Sequence, residues 1–381
     1  MSKNKKFIFI SYVLLVFLLL VLLEFFSYII SKFFLSNYGA LFDKNKITQN
    51  YNNYLKKRHN ILGWDARHEK FNAYLIELDD DDARIDHSSF KNSKKCADVY
   101  GDSFTWGHTN GEYSWPSVLS ELLKCRVRNF GVPAYGTDQA YMKFLLNNNS
   151  SKIVILNHFS ENVIRNINQF RNCIYPNKNF MFKPRYIFDG DSLKLVPLPK
   201  ISNKEIYKFL NQPEIYLSDE YFIPNGGSGV QSYGFFYSIK VLKIFNHWHF
   251  KQKFRNSSRY IKFYSKDHAS GALKLTFEIM NDFYRRVSSQ GDIPILTILP
   301  HCRDLEYFLK SKKYPYENLA NLFVQAGIKY IDFGTEIINK QGNNFKKLYD
   351  NCSGHFNEEG EKIIADIFYE YIHKNDLLRK Y

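Results

Sequence analysis

From Lys95 to the end of the chain, short apolar runs alternate with segments of helical periodicity. The apolar runs are "CADVY", "RVRNF", "KIVIL", "DIPILTILP" and "IKYIDFG". Apolar residues recur at helical spacing over Trp115–Leu123, over about Thr137–Leu146 and in the residues after Ala272. A last helix is predicted after Asn357, which is a suitable N-cap. Because strands and helices alternate, the pattern predicts a central parallel sheet with helices packed on it. The expected fold class is therefore α/β.

Residues 167–271 interrupt this alternation and contain many aromatic side chains, including the run "YGFFYSIKVLKIFNHWHF". Within this run, apolar side chains recur at helical spacing: Phe235, Phe236, Ile239, Leu242 and Phe245. Such a helix can be buried, form a lid or lie on a membrane. We expect a buried helix that packs the insertion onto the domain. The predicted domain 95–381 therefore carries a helical, aromatic-rich insertion at about 167–271.

The N-terminus carries a long apolar segment. Phe7–Leu23 contains no charge, and the apolar character resumes after Glu24 as far as Ile30. A helix over these residues would be about 36 Å long, enough to cross a hydrocarbon core of roughly 30 Å. The lysines before it also suit a cleaved signal peptide, but no small-residue cleavage site follows. Residues 1–35 are therefore predicted to be an uncleaved, single-pass transmembrane anchor, with the lipid bilayer as partner.

The side of the membrane on which the domain lies is inferred from its length. Lysines lie on both sides of the apolar segment, so the positive-inside rule does not fix the orientation. Long domains translocate largely regardless of loop charge. We expect the protein in the cell membrane with its main domain on the periplasmic or extracellular side.

Residues 36–94 are polar, lack sustained periodicity and are predicted to form a connector with short embedded elements. They include four consecutive aspartates, Asp79–Asp82, which would suit a cation site or a solvated loop, and we expect the loop. The five cysteines of the chain are widely spaced, without the C-x-x-C or paired-histidine spacing of zinc sites. We therefore predict no metal and no cofactor.

The formal net charge of the chain is +14. A positive balance can favour anionic glycans, lipid head groups or nucleic acid. Here the lysines are scattered without a basic block of five or more, and no nucleic-acid-binding motif occurs. The charge therefore indicates a solvated, lysine-rich surface, and we predict no nucleic-acid partner.

Polar residues follow the predicted strands at the edge where a parallel sheet gathers its functional groups. Asp102 and Ser103 follow the first strand, Gly131 follows the second, and the loop "NHFSEN" follows the third. His355 comes late in the chain, within "DNCSGHFNEEG". A serine hydroxyl becomes a nucleophile when an imidazole within hydrogen-bond reach accepts its proton. Their order at successive strand ends indicates one shared site.

These blocks resemble, in chain order, the conserved blocks of the SGNH or GDSL hydrolases. "GDSFTWG" resembles the G-D-S motif, and "NFGVPAYGTDQA" is similar to the block that supplies a glycine amide. "HFSEN" is a weaker match to the third block, and "GHFNEEG" resembles the block with the catalytic histidine. The resemblance covers roughly residues 95–166 and 272–375 and implies a three-layer sandwich with a central parallel sheet.

The resemblance also implies roles for individual residues. Ser103 would be the nucleophile and His355 its general base. The oxyanion hole would consist of the backbone amides of Ser103 and Gly131 together with the side chain of Asn162, with Asn157 as a less favoured alternative donor. Loss of one such donor typically costs about 3 to 4 kcal/mol of transition-state stabilisation.

The acidic member of the site departs from the family pattern. The family usually has an acid three positions before the catalytic histidine, where this chain has Cys352, and Asp350 lies two residues further back. Asp350 could orient His355 through a bulged loop, a backbone carbonyl could do so, or the site could be impaired. A disulfide between Cys302 and Cys352 that pins the loop of His355 is a further possibility.

The resemblance and the expected location imply a serine-dependent acyl ester hydrolase or O-acyltransferase that acts through a Ser103 acyl-enzyme. Its substrate would be an acylated glycan, a similar cell-envelope molecule or a small ester. Whether water or a sugar hydroxyl accepts the acyl group distinguishes the two activities, and the residues are the same for both. The alternative function is a catalytically weak glycan-binding or polysaccharide-assembly component that retains the fold.

Overall fold

The computed structural model describes a large part of the chain. The described residues are 3–34, 44–66, 78–85, 87–107, 113–147, 150–175, 180–223, 236–246, 250 and 260–378. The chain divides into two compact units. The helical unit contains residues 1–56, 170–182 and 199–256, and the sheet unit contains residues 57–169, 183–198 and 257–381. The domain limits predicted from the sequence divide the chain differently and stay a prediction.

The five strands predicted from the sequence are present in the predicted order. The strands are β1 (Lys95–Tyr100), β2 (Arg126–Asn129), β3 (Ile153–Phe159), β4 (Arg185–Asp189), β5 (Ser192–Val196), β6 (Ile293–Leu299) and β7 (Tyr330–Asp332). The five predicted strands are β1, β2, β3, β6 and β7. The helices are α1 (Lys3–Ile29), α2 (Lys44–Lys57), α3 (Ser103–Trp106), α4 (Trp115–Leu123), α5 (Thr137–Leu146), α6 (Asn162–Arg165), α7 (Ile206–Asn211), α8 (Tyr237–Asn246), α9 (Ala272–Ser289), α10 (Cys302–Ser311), α11 (Glu317–Gln325), α12 (Phe333–Gln341) and α13 (Glu358–Lys374).

Five of the described strands form one parallel sheet in the order β2-β1-β3-β6-β7. Every residue of the central strand β3 is buried, which is why its sequence, "IVILNHF", begins as a continuous apolar run. The chain passes from β1 to β2 on one side, and β3 lies on the other side of β1. The order of the strands therefore reverses between β1 and β3, and parallel sheets open a crevice for ligands at such a point.

Helices cover both faces of this sheet. On one face α4 packs against α13, with the rings of Trp115 and Phe368 stacked 4.7 Å apart. On the other face α5 packs against α9, with the rings of Phe144 and Phe283 4.9 Å apart. The predicted α/β sandwich of three layers is confirmed.

The four consecutive aspartates lie in a turn whose Asp80 is exposed, but two of the four form ion pairs that the sequence analysis did not predict. Asp79 forms an ion pair with Arg126, at the start of β2. Asp81 forms one with Lys95, at the start of β1, with 2.6 Å between Oδ2 and Nζ. The acidic run thus fixes this part of the predicted connector to the amino ends of two strands.

The insertion contains strands as well as helices, which the sequence analysis did not predict. β4 and β5 pair antiparallel across a turn in which Gly190 has a φ of +61°. A glycine in this left-handed conformation is typical of tight hairpin turns. The two strands belong to the sheet unit, whereas the helices α7 and α8 belong to the helical unit.

The helical unit has a small aromatic core around α2. Tyr51 of α2 is buried, and its hydroxyl donates to the carbonyl oxygen of Ile201 at 2.6 Å. Its ring contacts the rings of Phe180 and Phe182. These contacts hold two segments of the insertion against the residues that follow α1.

The structure contradicts the expectation of a buried aromatic helix in the insertion. The helix exists as α8, but four of its predicted core residues are exposed: Phe236, Ile239, Leu242 and Phe245. Its buried apolar residues are instead Val241 and Ile244. Phe235 lies outside the described residues. Helical periodicity predicted the helix but not which face would be covered.

Candidate active site

Ser103 is the first residue of the short helix α3, directly after β1. Asp102 caps this helix, because its Oδ1 accepts a hydrogen bond from the backbone N–H of Phe104 at 2.9 Å. Gly101 makes the turn possible, since a Cβ there would lie 2.0 Å from Oγ1 of Thr105. Strand, turn and cap together hold Ser103 at the carboxyl end of β1, in the crevice beside β3.

His355 lies next to Ser103 although 252 positions separate them in the sequence. Nε2 of the imidazole is 2.8 Å from Oγ of Ser103, the distance of a hydrogen bond. The ring of His355 also packs on Phe104, with 4.8 Å between the ring centroids. In this geometry Nε2 can accept the proton of the serine hydroxyl.

The main chain on both sides of His355 is paired as in a hairpin. The N–H of Asn357 donates to the carbonyl oxygen of Leu348 at 3.0 Å, and the N–H of Asp350 donates to the carbonyl oxygen of His355 at 3.1 Å. Tyr349 and Phe356 form an antiparallel bridge between these two contacts. The backbone of Asp350 therefore helps to hold His355.

The side chain of Asp350 is exposed. Among the described residues, its carboxylate forms no hydrogen bond with the imidazole of His355. The sequence prediction that Asp350 orients His355 thus has a backbone contact in its favour and stays a prediction.

Asn162 is the first residue of α6, directly after the loop that leaves β3. Its side chain is buried, and neither its nitrogen nor its oxygen has a hydrogen-bond partner among the described residues. It lies close enough to Asp102 to lower the pKa of that carboxyl, but without a hydrogen bond of normal geometry. A buried amide without a partner is uncommon in folded proteins and marks a place where a ligand atom can bind.

Asn157, the alternative donor, is fully engaged within the fold. Its Nδ2 donates to Oγ1 of Thr105 at 2.9 Å, and its Oδ1 accepts from Oγ1 of Thr297 at 2.6 Å. Asn157 thus ties β3 to α3 and β6, and Asn162 is the better candidate of the two.

Gly131 has a structural role that the sequence analysis did not foresee. Its backbone N–H donates to Oδ1 of Asn129 at 2.9 Å. A Cβ at this position would lie 2.4 Å from the backbone nitrogen of Trp106, so only glycine lets the loop after β2 pack against α3. The backbone amide of Gly131 is thus already paired with Asn129, and nothing among the described residues directs it to a substrate oxygen. Its place in an oxyanion hole stays a prediction. Ala134, three positions further along this loop, has a φ of +66°.

The blocks that resembled the SGNH hydrolases thus lie at adjacent strand ends of a parallel sheet. The first block carries Ser103 after β1, the third carries Asn162 after β3, and the last brings His355 to Ser103. The chain thus has the three-layer α/β sandwich that its resemblance to the SGNH hydrolases implies.

Distant solved structures include members of the G-D-S-L family. A lipolytic protein of that family from Desulfitobacterium hafniense is 14% identical with a TM-score of 0.36, and the match covers 73% of this chain and 98% of that chain. One from Veillonella parvula is 11% identical with a TM-score of 0.33, and the match covers 73% of this chain and 96% of that one. A protein from Lactobacillus plantarum is 11% identical with a TM-score of 0.37, over 74% of this chain and 98% of that one. No protein-family model and no curated protein matches the chain.

A buried arginine joins the loops of this candidate site, and the sequence analysis missed it. Nη1 of Arg165 donates to Oδ2 of Asp102 at 2.9 Å and to the carbonyl oxygen of Tyr135 at 2.9 Å. Its Nη2 donates to Oε1 of Glu161 at 2.8 Å. One guanidinium thus links the cap of the helix that starts at Ser103, the loop after β2 and the loop that carries Asn162. One signal in the sequence could have pointed to Arg165: it lies three positions after Asn162, within the same short helical segment.

Burial and charge oppose each other at Asp102. Removal from water raises the pKa of the Asp102 carboxyl, and the adjacent Arg165 guanidinium lowers it. Since Oδ1 caps α3 and Oδ2 binds Arg165, both oxygens accept hydrogen bonds. Asp102 therefore has a structural role: it holds the start of α3 beneath Ser103 and binds Arg165.

A disulfide fixes the loop of His355. Cys302, the first residue of α10, is bonded to Cys352, with 5.1 Å between the Cα atoms. The guanidinium of Arg303 adds a hydrogen bond to Oγ of Ser353 at 2.9 Å. The position at which the SGNH family usually has its acid is thus occupied by half of a covalent link. A bonded Cys352 cannot serve as a thiolate nucleophile.

Proposed function

We propose that this protein is a membrane-anchored serine ester hydrolase or O-acyltransferase of the SGNH type. The observation that carries the proposal is the 2.8 Å contact between Oγ of Ser103 and Nε2 of His355. A serine and a histidine at this distance, in the crevice of a parallel sheet, form the reactive part of an acyl-transfer site.

In the proposed reaction, His355 accepts the hydroxyl proton as Oγ of Ser103 attacks the ester carbonyl. The tetrahedral intermediate collapses to a Ser103 acyl-enzyme, and the imidazolium returns the proton to the leaving alkoxide. His355 then removes a proton from the acyl acceptor, which attacks the acyl-enzyme and restores the serine.

The negative oxygen of the intermediate needs donors that are in place before the reaction. The unpartnered amide of Asn162 supports a role for this side chain as one of them. The backbone N–H of Ser103, at the first position of α3, has no acceptor within that helix and is a second candidate. Asp350 remains the candidate for the acid that orients His355, because its backbone pairs with that residue.

Several observations support a location outside the cytoplasm with a retained anchor. Two disulfides, Cys96–Cys125 and Cys302–Cys352, are typical of oxidising compartments. Within the described residues, one helix is long and apolar enough to cross a membrane, over Asn4–Phe34, and its apolar window is not buried by other residues. Toward its end, Glu24 binds the start of α8, a contact that a cleaved signal peptide would not keep.

The membrane anchor and the exported domain favour an acylated glycan or similar envelope molecule as substrate. Either water or a sugar hydroxyl can accept the acyl group from Ser103. The second candidate function is a glycan-binding or assembly component with weak catalysis, and the exposed carboxylate of Asp350 is the observation that favours it.

The test is turnover of a chromogenic acetyl ester by the full chain in detergent micelles. We expect turnover that Ser103→Ala reduces by several orders of magnitude, while the exposed control Ser289→Ala retains it. Equal rates for the wild type and Ser103→Ala would refute the nucleophile. With a sugar acceptor present, formation of acetylated sugar would indicate acyl transfer, and release of free acetate would indicate hydrolysis. Glycan binding without turnover would favour the glycan-binding or assembly function.

A further inference from the structure

Helix α8 presents an apolar face to the surroundings of the protein. Phe236, just before the helix, is 57% exposed, and Leu242 is 62% exposed. Ile239 and Phe245 are also exposed. At 100° per residue, Ile239, Leu242 and Phe245 lie within an arc of about 120°, and Leu242 at its centre is about 160° from the buried Ile244. A soluble protein rarely exposes so many large apolar side chains on one short helix.

The start of α8 is fixed to the C-terminal part of α1, within the same unit. Oε2 of Glu24 accepts a hydrogen bond from the backbone N–H of Tyr237 at 2.7 Å, and Oε1 binds the hydroxyl of Ser238. The rings of Tyr28 and Tyr237 meet edge to face, 5.0 Å apart. Glu24 thus satisfies the first amide of α8, which would otherwise lack an acceptor.

This junction lies near the end of the apolar segment. The uncharged run Phe7–Leu23 would rise about 26 Å as a helix, slightly less than a hydrocarbon core of roughly 30 Å. If the hydrocarbon core ends near Leu23, Glu24 and the start of α8 lie at the boundary between acyl chains and head groups. Tyr28 and Lys32, one and two turns later, are residue types that favour this boundary.

The polar residues of α8 agree with this depth. Lys240 and Lys243 are half-buried. At 100° per residue both lie along one edge of the apolar side, between Ile239 and the buried Ile244. A short helix with large apolar residues on one side and lysines beside them is typical of segments that lie in the interface of a bilayer. Lysines near that surface also attract anionic head groups.

We propose that α8 lies in the membrane interface and buries its apolar face among lipids next to the end of α1. The occupant of this face is the bilayer, because the start of α8 is bound to α1, where Phe25 and Phe26 are also exposed, and Phe33 and Phe34 just after α1 are exposed as well. The protein thus has a second membrane contact, which fixes the orientation of the helical unit on the lipid surface. The inference rests on the proposed membrane span of α1.

The experiment places an environment-sensitive fluorophore on Leu242→Cys in the full chain, reconstituted into vesicles of phosphatidylcholine and phosphatidylglycerol. Four native cysteines are in disulfides and Cys173 is buried, so the introduced thiol reacts selectively, and wild-type protein serves as the labelling blank. Val324→Cys on α11, an exposed apolar residue of the sheet unit, is the matched control. Leu18→Cys on α1 reports the membrane span.

We expect lipids with a nitroxide on the upper acyl chain to quench the fluorophore at position 242, with a blue-shifted emission. Position 324 should show neither effect. Quenching at 18 without quenching at 242 would overturn the inference about α8 and leave the membrane anchor intact. No quenching at either position would refute the proposed span, and the α8 contact with it. An unquenched 242 label that becomes shielded as a dimer forms would assign the face to a second copy of the chain.

Discussion

Asn162→Ala removes a buried amide that makes no hydrogen bond among the described residues. Most buried polar side chains contribute to folding through their partners, so their loss lowers both stability and activity. Here only the contact with Asp102, which is not a hydrogen bond of normal geometry, is lost when the amide is removed. If Asn162 donates to the negative oxygen of the intermediate, its contribution is made only in the transition state.

The two expected magnitudes differ strongly. Loss of one oxyanion donor lowers kcat by about 100-fold to 1,000-fold, or roughly 3 to 4 kcal/mol. For stability, removal of an unsatisfied buried amide contributes about 1 to 3 kcal/mol in favour of folding, and the small cavity that remains costs about 1 kcal/mol or more. The two terms oppose each other, so we expect the free energy of unfolding to stay the same or to rise by at most about 2 kcal/mol.

Asn157→Ala is the matched control, because Asn157 is an equally buried asparagine on the preceding strand with both ends of its amide engaged. Its removal leaves two hydroxyls without partners and should cost about 2 to 4 kcal/mol of stability, with a smaller effect on kcat in the folded protein. Urea unfolding and acetyl-ester turnover of both variants give the comparison. A loss of stability in Asn162→Ala with kcat unchanged would refute its role as a donor.

The other predictions concern how the site is held in place. Replacing Cys302 and Cys352 together with serine removes the disulfide beside His355 and should lower stability by about 4 kcal/mol, as expected for the length of chain that it closes, and should also lower kcat. Replacing Cys96 and Cys125 should lower stability alone. Equal kcat for both double variants would show that His355 does not need the Cys302–Cys352 link. Arg165→Lys keeps the charge, but an ammonium group cannot bridge the three acceptors of the guanidinium on Asp102, Tyr135 and Glu161. We therefore expect kcat to fall by roughly tenfold or more with little change in KM. A change in KM alone would contradict a positioning role. Asp350→Asn should lower kcat by more than about tenfold if the carboxylate orients the imidazole, with the unfolding transition kept; an unchanged kcat would assign the orientation to the backbone contact.

The sheet unit could be predicted from the sequence because each of its elements has a strong local pattern. β3 is a continuous apolar run, α9 has apolar residues at helical spacing, and α13 begins after an asparagine cap whose side chain accepts from the N–H of Gly360. Strand ends then indicated which polar residues would meet. The contact between Ser103 and His355 was implied by the resemblance of their blocks to the SGNH hydrolases, and the structure brings the two side chains together.

The missed features depend on tertiary contacts. The need for glycine at position 131 comes from the backbone of Trp106, which lies in another block of the sequence. Arg165 acquires its role only when three loops converge on it. The exposed side of α8 is decided by what covers the helix, and periodicity does not contain that information. In contrast, the hairpin of β4 and β5 had a local signal at Asp189 and Gly190, a common turn dipeptide.

The most direct test of the account is covalent capture of the nucleophile. A fluorophosphonate reacts with an activated serine by displacement of fluoride and leaves a phosphonylated residue whose mass can be measured. The account predicts one adduct per chain, located by peptide mapping at Ser103, absent in Ser103→Ala and formed far more slowly in His355→Ala. An adduct elsewhere, no adduct in the folded protein, or an equal rate of labelling without the imidazole would contradict the claim that His355 activates Ser103.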